Sequence, residues 1–303
     1  MDFVRNLLIR NALSLPAKAA LICEDTVVTH SELNSRVNRL ANALRSREVC
    51  KGTVVGLFVR NSIEFVEILF ACQKLGATAT PANTRYQAKE LAHQMSHSQA
   101  TVLFFDADSA DIVDAVRSDG LPRAYISVGD GGPSWATAMD ALIQEAGDFN
   151  EPPGVDLGQS DIGTILYTSG TTGVAKAVPV SYRGGLYIGI LEANSDIGLT
   201  DDDISLCVAP LFHQGVYGMN LMMPLLVGGT VVIHKRFDAD ETLRAIEKYG
   251  VTFAFLVPTM SEAIVKSAEL RMRRTDSFRT MMSSGSLLPE TTRLKLQIGR
   301  AHV

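Results

Sequence analysis

Ten consecutive residues carry the densest chemistry in the sequence: Tyr167-Thr168-Ser169-Gly170-Thr171-Thr172-Gly173-Val174-Ala175-Lys176. Small residues let a backbone approach an anion closely, and glycines reach the positive-φ turns that aim successive N–H groups at it. The hydroxyls of Thr168, Ser169, Thr171 and Thr172 add donors without bulk, and Lys176 adds a compact positive charge. Such a loop suits a polyphosphate. It is not a P-loop, which needs Gly, four residues, then Gly-Lys-Ser/Thr. Four residues past Gly170 the next is Ala175, and Ala177 follows the lysine. Nor is it the Gly-x-Ser-x-Gly elbow of a serine hydrolase, because Tyr167 stands at the first glycine's place and Thr168 precedes Ser169. A Gly/Ser/Thr surface linker is the plain alternative.

Three histidines could also do chemistry. His213 is the lone histidine of an apolar stretch, which suits a satisfied core or strand-end residue as well as a substrate-positioning one. His93 and His97 are four apart, on one helix face, as in HExxH. Gln94 follows His93 and cannot act as the general base. With no third ligand in view the pair reads as a surface helix, and no metal site is expected. Asp201-Asp202-Asp203 and Arg271 to Arg274 read as solvated faces and caps.

These residues need a scaffold, and the surrounding pattern supplies one. Gly163 to Tyr167 is a short apolar run that predicts a strand leading directly into the loop. Val27-Val28 predicts a strand, and Thr29 to Glu32 matches a capping box before a helix with Leu33, Val37, Leu40, Ala41 and Leu44 on one face. Val54 to Val59 is a near-continuous apolar run, as expected of a strand buried on both faces. Asn61 is placed to cap the next helix, which Gly76 stops. Thr78 to Pro81 and Thr101 to Phe105 predict strands around a helix at Lys89 to Ser96. Turn signals follow at Gly120–Pro122, Gly129 to Pro133 and Pro152 to Gly154. Pattern resumes at Ile162, and towards the end Thr230 to Ile233, Ala239 to Tyr249, Phe253 to Val257 and Ser261 to Glu269 read as strand, helix, strand, helix. This rhythm predicts an α/β fold with mostly parallel sheets and flanking helices.

Composition bounds the function. The chain has 303 residues, 46% hydrophobic and 20% charged, with formal net charge −5. That suffices for a large core and excludes a disordered chain or a small disulfide scaffold. No basic excess points to nucleic acid or an anionic membrane, so a phosphate must be held by a local site. Cys23, Cys50, Cys72 and Cys207 form no CxxC pair and read as buried, reduced thiols, which suggests a cytoplasmic protein. The N-terminus shows no secretory h-region. The weakly charged stretch Ile204 to Ile233 is broken by Pro210, Asn220, Pro224 and glycines, so it reads as strand, loop, helix, turn and strand rather than a membrane span.

At the loop the sequence resembles a family. Tyr167 to Lys176 is similar to the phosphate-binding signature of the AMP-forming adenylating enzymes, close to YTSGTTGxPKG: acyl-CoA synthetases, luciferases and peptide-synthetase adenylation domains. Ala175 stands where Pro is usual and Ala177 where Gly is usual. Pro210 to Gly215 resembles the family's PLFHxxG segment, and Ser283 to Leu288 its SGGAPL segment. Val257-Pro258-Thr259 resembles a segment near the acyl pocket. The likeness runs from the Thr29–Glu32 helix start to nearly the end of the chain.

The resemblance implies two half-reactions. A carboxylate attacks the α-phosphate of MgATP to give acyl-adenylate and pyrophosphate, and a thiol, often coenzyme A, then attacks the acyl carbon. It implies that Thr168, Ser169, Gly170, Thr171, Thr172, Gly173 and Lys176 hold phosphate, and that Gly285, Ser286 and Leu287 meet adenine. His213 would position the acid, an acyl or aryl carboxylate rather than an amino acid, since no Asp stands near His213 to meet an amino group. The family's catalytic lysine lies in a smaller C-terminal domain, and the Glu that helps hold Mg²⁺ lies beyond residue 303. The expected organisation is therefore an incomplete large adenylation domain over residues 1–297, in two α/β subdomains, with 298–303 unlike the family's continuation and the chain alone impaired. A short non-catalytic protein binding nucleotide or an acyl ligand is the alternative, and would release no pyrophosphate. A kinase using the same loop would release ADP.

Overall fold

Apolar runs without polar alternation fit strands covered on both faces, and two such sheets form the protein. The computed structural model describes residues 3–117, 120, 122–146, 149–158, 160–168, 175–182 and 185–298. Its chain divides into two units, one of Met1–Ser14, Ser31–Arg60 and Glu64–Ile188, the other of Leu15–His30, Asn61–Ile63 and Gly189–Val303.

The strands are numbered along the chain. A hairpin opens the second unit, β1 (Ala19–Cys23) and β2 (Thr26–Thr29). The first unit holds β3 (Val54–Phe58), β4 (Thr78–Pro81), β5 (Val102–Asp106), β6 (Ala124–Val128), β7 (Thr137–Ala138), β8 (Ile162–Thr168) and β9 (Lys176–Ser181). The second unit resumes with β10 (Ile204–Cys207), β11 (Thr230–Ile233), β12 (Phe253–Leu256) and β13 (Thr280–Ser283). The seven-stranded sheet runs β7-β6-β5-β3-β4-β8-β9, parallel except for β8 with β9. The six-stranded sheet runs β13-β12-β10-β11-β1-β2, parallel except for β1 with β2. The α/β expectation with mostly parallel sheets therefore stands.

In the first unit, β3, β4 and β5 lie side by side and their side chains are almost wholly buried. Phe58, Leu103 and Phe105 pack with Leu91 and Met95 of helix Ala88–Ser98. No helix among the described residues is long and apolar enough to cross a membrane.

The structure corrects several local expectations. Asn61 does not spend its amide on the helix Ile63–Lys74 but on a distant loop described below. The helix expected from Ser261 to Glu269 begins earlier and covers Pro258–Lys266, with Pro258 in the first turn, where its missing N–H costs nothing. Cys23, Cys72 and Cys207 are buried as expected, but Cys50 is exposed, in the turn that precedes β3.

Asp203 is not a solvated member of its acidic run. Its side chain is 4% exposed. It accepts from Arg279 Nη2 at 2.6 Å, Thr252 Oγ1 at 2.6 Å and the Thr200 amide at 2.8 Å. Burial alone would raise this carboxyl, but the hydrogen bonds from Arg279 and Thr252 outweigh it and hold the group below the ordinary range. Asp203 thus ties together the segments that enter β10, β12 and β13.

Glu67, in helix Ile63–Lys74, is 1% exposed, with Arg36 Nε 2.5 Å from its carboxylate. Burial pushes its carboxyl up to about 7, and the pairing with Arg36 offsets this only in part. A carboxyl that binds its proton more tightly when folded loses stability as pH rises, here between about 4.5 and 7. Glu67→Gln, which mimics the protonated form, is expected to raise the unfolding free energy at pH 8 by about 2–3 kcal/mol and to change it little at pH 4.5. Urea denaturation at both pH values checks this; a loss at pH 8 would contradict it.

Candidate functional site

The hydroxyl-rich loop is closed by a strand pair. β8 and β9 are antiparallel neighbours, and Thr168 and Lys176 are Cα partners in their register. The strand before the loop was legible in the sequence; that Lys176 opens a second strand was not. Thr168 and Lys176 are both exposed at the loop base. Ser169, Gly170, Thr171, Thr172 and Gly173 lie outside the described residues.

What precedes the loop is firmly held. Thr78 Oγ1 donates to the Ile162 carbonyl at 2.6 Å, and Thr80 Oγ1 to that of Ile165 at 3.1 Å. Gln94 Nε2, from helix Ala88–Ser98, in turn donates to Thr80 Oγ1 at 2.9 Å. Tyr182 Oη, just past β9, donates to the Ala77 carbonyl at 2.6 Å. These bonds fix β8 against β4 up to the point where the loop departs.

Tyr167 adds a contact that spacing could not show. Its hydroxyl lies 2.7 Å from His97 Nδ1, with the rings edge to face, and His93 stacks on His97. The two histidines are exposed on their helix, as expected, but one of them holds the residue next to the loop. Burial pushes the Tyr167 phenol above its ordinary value, so it stays protonated at neutral pH.

In the second unit the 210–215 segment leaves the carboxyl end of β10. His213 is exposed, so the buried-core reading of this histidine is set aside. It starts a short helical turn, Gln214–Val216, and its ring lies 4.4 Å from that of Phe212. Two asparagines that sequence reasoning did not single out for the site hold this region. Asn61 Nδ2 donates to the carbonyls of Ala209 at 2.8 Å and His234 at 3.2 Å, and its Oδ1 accepts from the Leu211 amide at 2.8 Å. Asn220, fully buried in the π-helical turn Tyr217–Met222, donates to the Phe255 carbonyl at 3.0 Å and accepts from the Phe255 amide at 2.7 Å. Its amide replaces a ladder partner for β12. The available signal was a polar side chain inside the apolar stretch Ile204 to Ile233, since a buried amide must find partners.

Gly215 is a packing glycine. A Cβ there would meet Phe255 Cζ at 3.0 Å. Asn61→Ala would leave the Leu211 amide without its acceptor two residues before His213. It is expected to cost about 1–3 kcal/mol of stability; urea denaturation checks this, and an unchanged unfolding free energy would contradict it.

The 283–288 segment leaves the carboxyl end of β13 and leads into helix Glu290–Ile298. Gly285 has φ +97°, a left-handed conformation that glycine adopts without strain. Ser286 is exposed and Leu287 is 90% exposed, so among the described residues nothing covers this loop. The segments after β10 and β13 both depart from the carboxyl ends of parallel strands, where open α/β sheets bind ligands.

The chain matches the family described as AMP-binding enzyme over residues 8–300. It is 34% identical over 281 residues to a feruloyl-CoA synthase of an Amycolatopsis species, covering 93% of this chain and 54% of that protein. The chain thus spans about half the length of that relative. The anthranilate CoA ligase AuaEII, solved in complex with anthranoyl-AMP, is similar with a TM-score of 0.92 at 25% identity, over 98% of this chain and 57% of that one. The inhibitor-bound N-terminal domain of FACL13 from Mycobacterium tuberculosis is similar with a TM-score of 0.89 at 26% identity, over 98% of this chain and 73% of that one. With its signature loop closed by β8 and β9 and a family match over nearly all its length, the chain belongs to the AMP-binding enzyme family.

Proposed function

We propose that the protein works as an AMP-forming acid–CoA ligase, activating a carboxylic acid with ATP and then transferring the acyl group to the thiol of coenzyme A. The observation that carries this reading is the hydroxyl-rich loop between cross-strand partners Thr168 and Lys176, in a chain of the AMP-binding family. In the first step a carboxylate oxygen bonds to the α-phosphorus and the bond to the pyrophosphate oxygen breaks. Such a transfer needs positioning and charge stabilisation more than covalent chemistry from the protein. Thr168, Ser169, Thr171 and Thr172, with the amides of Gly170 and Gly173, take the β- and γ-phosphates. Lys176 adds positive charge as pyrophosphate leaves. Gly285, Ser286 and Leu287 take the adenine, and His213 orients the carboxylate. In the second step the CoA sulfur attacks the acyl carbon and AMP leaves.

Among the described residues no group of three or more His, Cys, Asp or Glu side chains is placed to hold a metal ion. Mg²⁺ enters as part of the MgATP substrate. The acid is an acyl or aryl carboxylate. The names feruloyl-CoA synthase and anthranilate CoA ligase support an aryl acid. Residues 1–297 belong to the large adenylation domain and make up two α/β subdomains. The buried free thiols support a cytoplasmic location. Because the chain spans 54% of the feruloyl-CoA synthase it matches, the 303 residues alone are expected to bind ATP weakly and to turn over poorly.

Acid-dependent ATP–pyrophosphate exchange, measured on the protein as its own cell makes it, tests the reading. Exchange that needs an added aryl or acyl acid is the expected result. ADP as the product would favour a kinase, and nucleotide binding without pyrophosphate release would favour a non-catalytic binding protein.

A further inference from the structure

The six-stranded sheet of the second unit uses its two faces differently. Side chains alternate along a strand. The Phe255 ring faces Gly215, on the side of the 210–215 segment. Leu256 and Met281 face the opposite side and pack with helices Ala239–Tyr249, Pro258–Lys266 and Glu290–Ile298. That second side contains a cavity of about 420 Å³. Its apolar wall is formed by Leu243, Ile246, Leu256, Ile264, Met281 and Leu296, none more than 7% exposed. The volume lies in the range of roughly 300–1,000 Å³ seen for small-molecule pockets.

Two cations complete the lining, Arg271 and Lys295, both exposed to solvent. Neither has an acidic partner among the described residues. Their neighbours differ: Arg244 and Arg273 pair with Glu269, Arg274 with Glu247, Arg279 with Asp203 and Arg293 with Glu290. Glu269, Glu247, Asp203 and Glu290 are thus engaged by other arginines. Asp276 follows the lining residue Thr275 but is not itself part of the lining.

We propose that this cavity binds a monoanionic amphiphile, a carboxylate on an apolar body, with its anion at Arg271 and Lys295 and its body against the Leu, Ile and Met wall. An apolar cavity is a poor site for water, and leaving it empty forfeits the dispersion contacts of its lining. An uncharged body of the same shape leaves the two cations unanswered, and a cationic one is repelled. The site lies across the sheet from His213 and stands whether or not the ligase reading does.

Decanoate is the probe, added without ATP to the protein as its own cell makes it, with ¹³C-methyl methionine as reporter. The expected result is a saturable shift of the Met281 methyl signal. Arg271→Gln combined with Lys295→Gln changes two exposed side chains and is expected to weaken decanoate binding at least about tenfold, leaving acid-dependent pyrophosphate exchange unchanged. Decanol is expected to bind at least about tenfold more weakly than decanoate. A Met281 signal that does not move, equal binding of decanol, or a double variant that binds decanoate as the parent does would each overturn the assignment. Absence of pyrophosphate exchange together with an intact Met281 response would count against the ligase reading alone.

Discussion

Replacing Glu151 by alanine is expected to lower the unfolding free energy by about 3–5 kcal/mol, whereas Lys74→Met is expected to cost only about 1–3 kcal/mol. The asymmetry follows from burial. The Lys74 side chain is 0% exposed and that of Glu151 is 25% exposed. Lys74 Nζ donates to Asn34 Oδ1 at 2.7 Å, Asn38 Oδ1 at 2.6 Å and Glu151 Oε1 at 2.8 Å. Without Glu151 the fully buried ammonium loses the carboxylate whose two oxygens both lie at 2.8 Å and keeps the neutral oxygens of Asn34 and Asn38. Without Lys74, Glu151 still meets water and has Arg5 Nε at 3.4 Å, while the two asparagine oxygens lose a donor. The double variant should therefore cost about as much as Lys74→Met alone, and urea denaturation of all four proteins measures that coupling. A larger loss in Lys74→Met than in Glu151→Ala would sink the argument. The site matters beyond itself: Asn38 and Asn42 also donate to the carbonyls of Phe149 and Asn150, so the network fastens this segment to helix His30–Ser46.

Lys176→Ala is expected to lower kcat/KM for pyrophosphate exchange by about 100-fold, the usual scale for losing one charge-stabilising group. Stability should change little, because Lys176 is exposed and has no partner among the described residues. Acid binding measured without ATP should be unaffected. An exchange rate equal to that of the parent would remove Lys176 from the phosphate site and, with it, the main support for the loop assignment.

The sequence was most informative where pattern and punctuation agree. Thr78–Pro81, Thr230–Ile233 and Ala239–Tyr249 have the expected bounds. For the last, Asp238 accepts from the Asp240 and Glu241 amides and Gly250 closes the helix, so both ends are marked locally. β9 went unseen because it is half exposed and contains Pro179, so it shows neither an apolar run nor clean alternation. The role of Asn61 is equally silent in sequence. Its partners lie 148, 150 and 173 residues away, and nothing local separates it from a cap. Asp203 was hidden by its neighbours, since in a run of three acids only the fold decides which one is buried. Of the candidate site, the loop stood out by residue type and spacing, and the two later segments only by their resemblance to family segments. The supports at His97, Asn61 and Asn220 were not, because they are contacts between elements.

Pro179 has a consequence for self-association. Among the described residues β9 is the last strand of the seven-stranded sheet, with β8 as its neighbour. A terminal strand offers unpaired backbone groups to any extended chain, including another copy of the same sheet. Pro179 has no N–H to offer, and proline within sheets sits where the missing donor faces outward. A copy attempting to continue the ladder past β9 therefore meets a gap and a ring at the centre of the strand. The margin that begins at Lys176 thus lacks one donor where a further strand would pair, and Pro179→Thr would restore it.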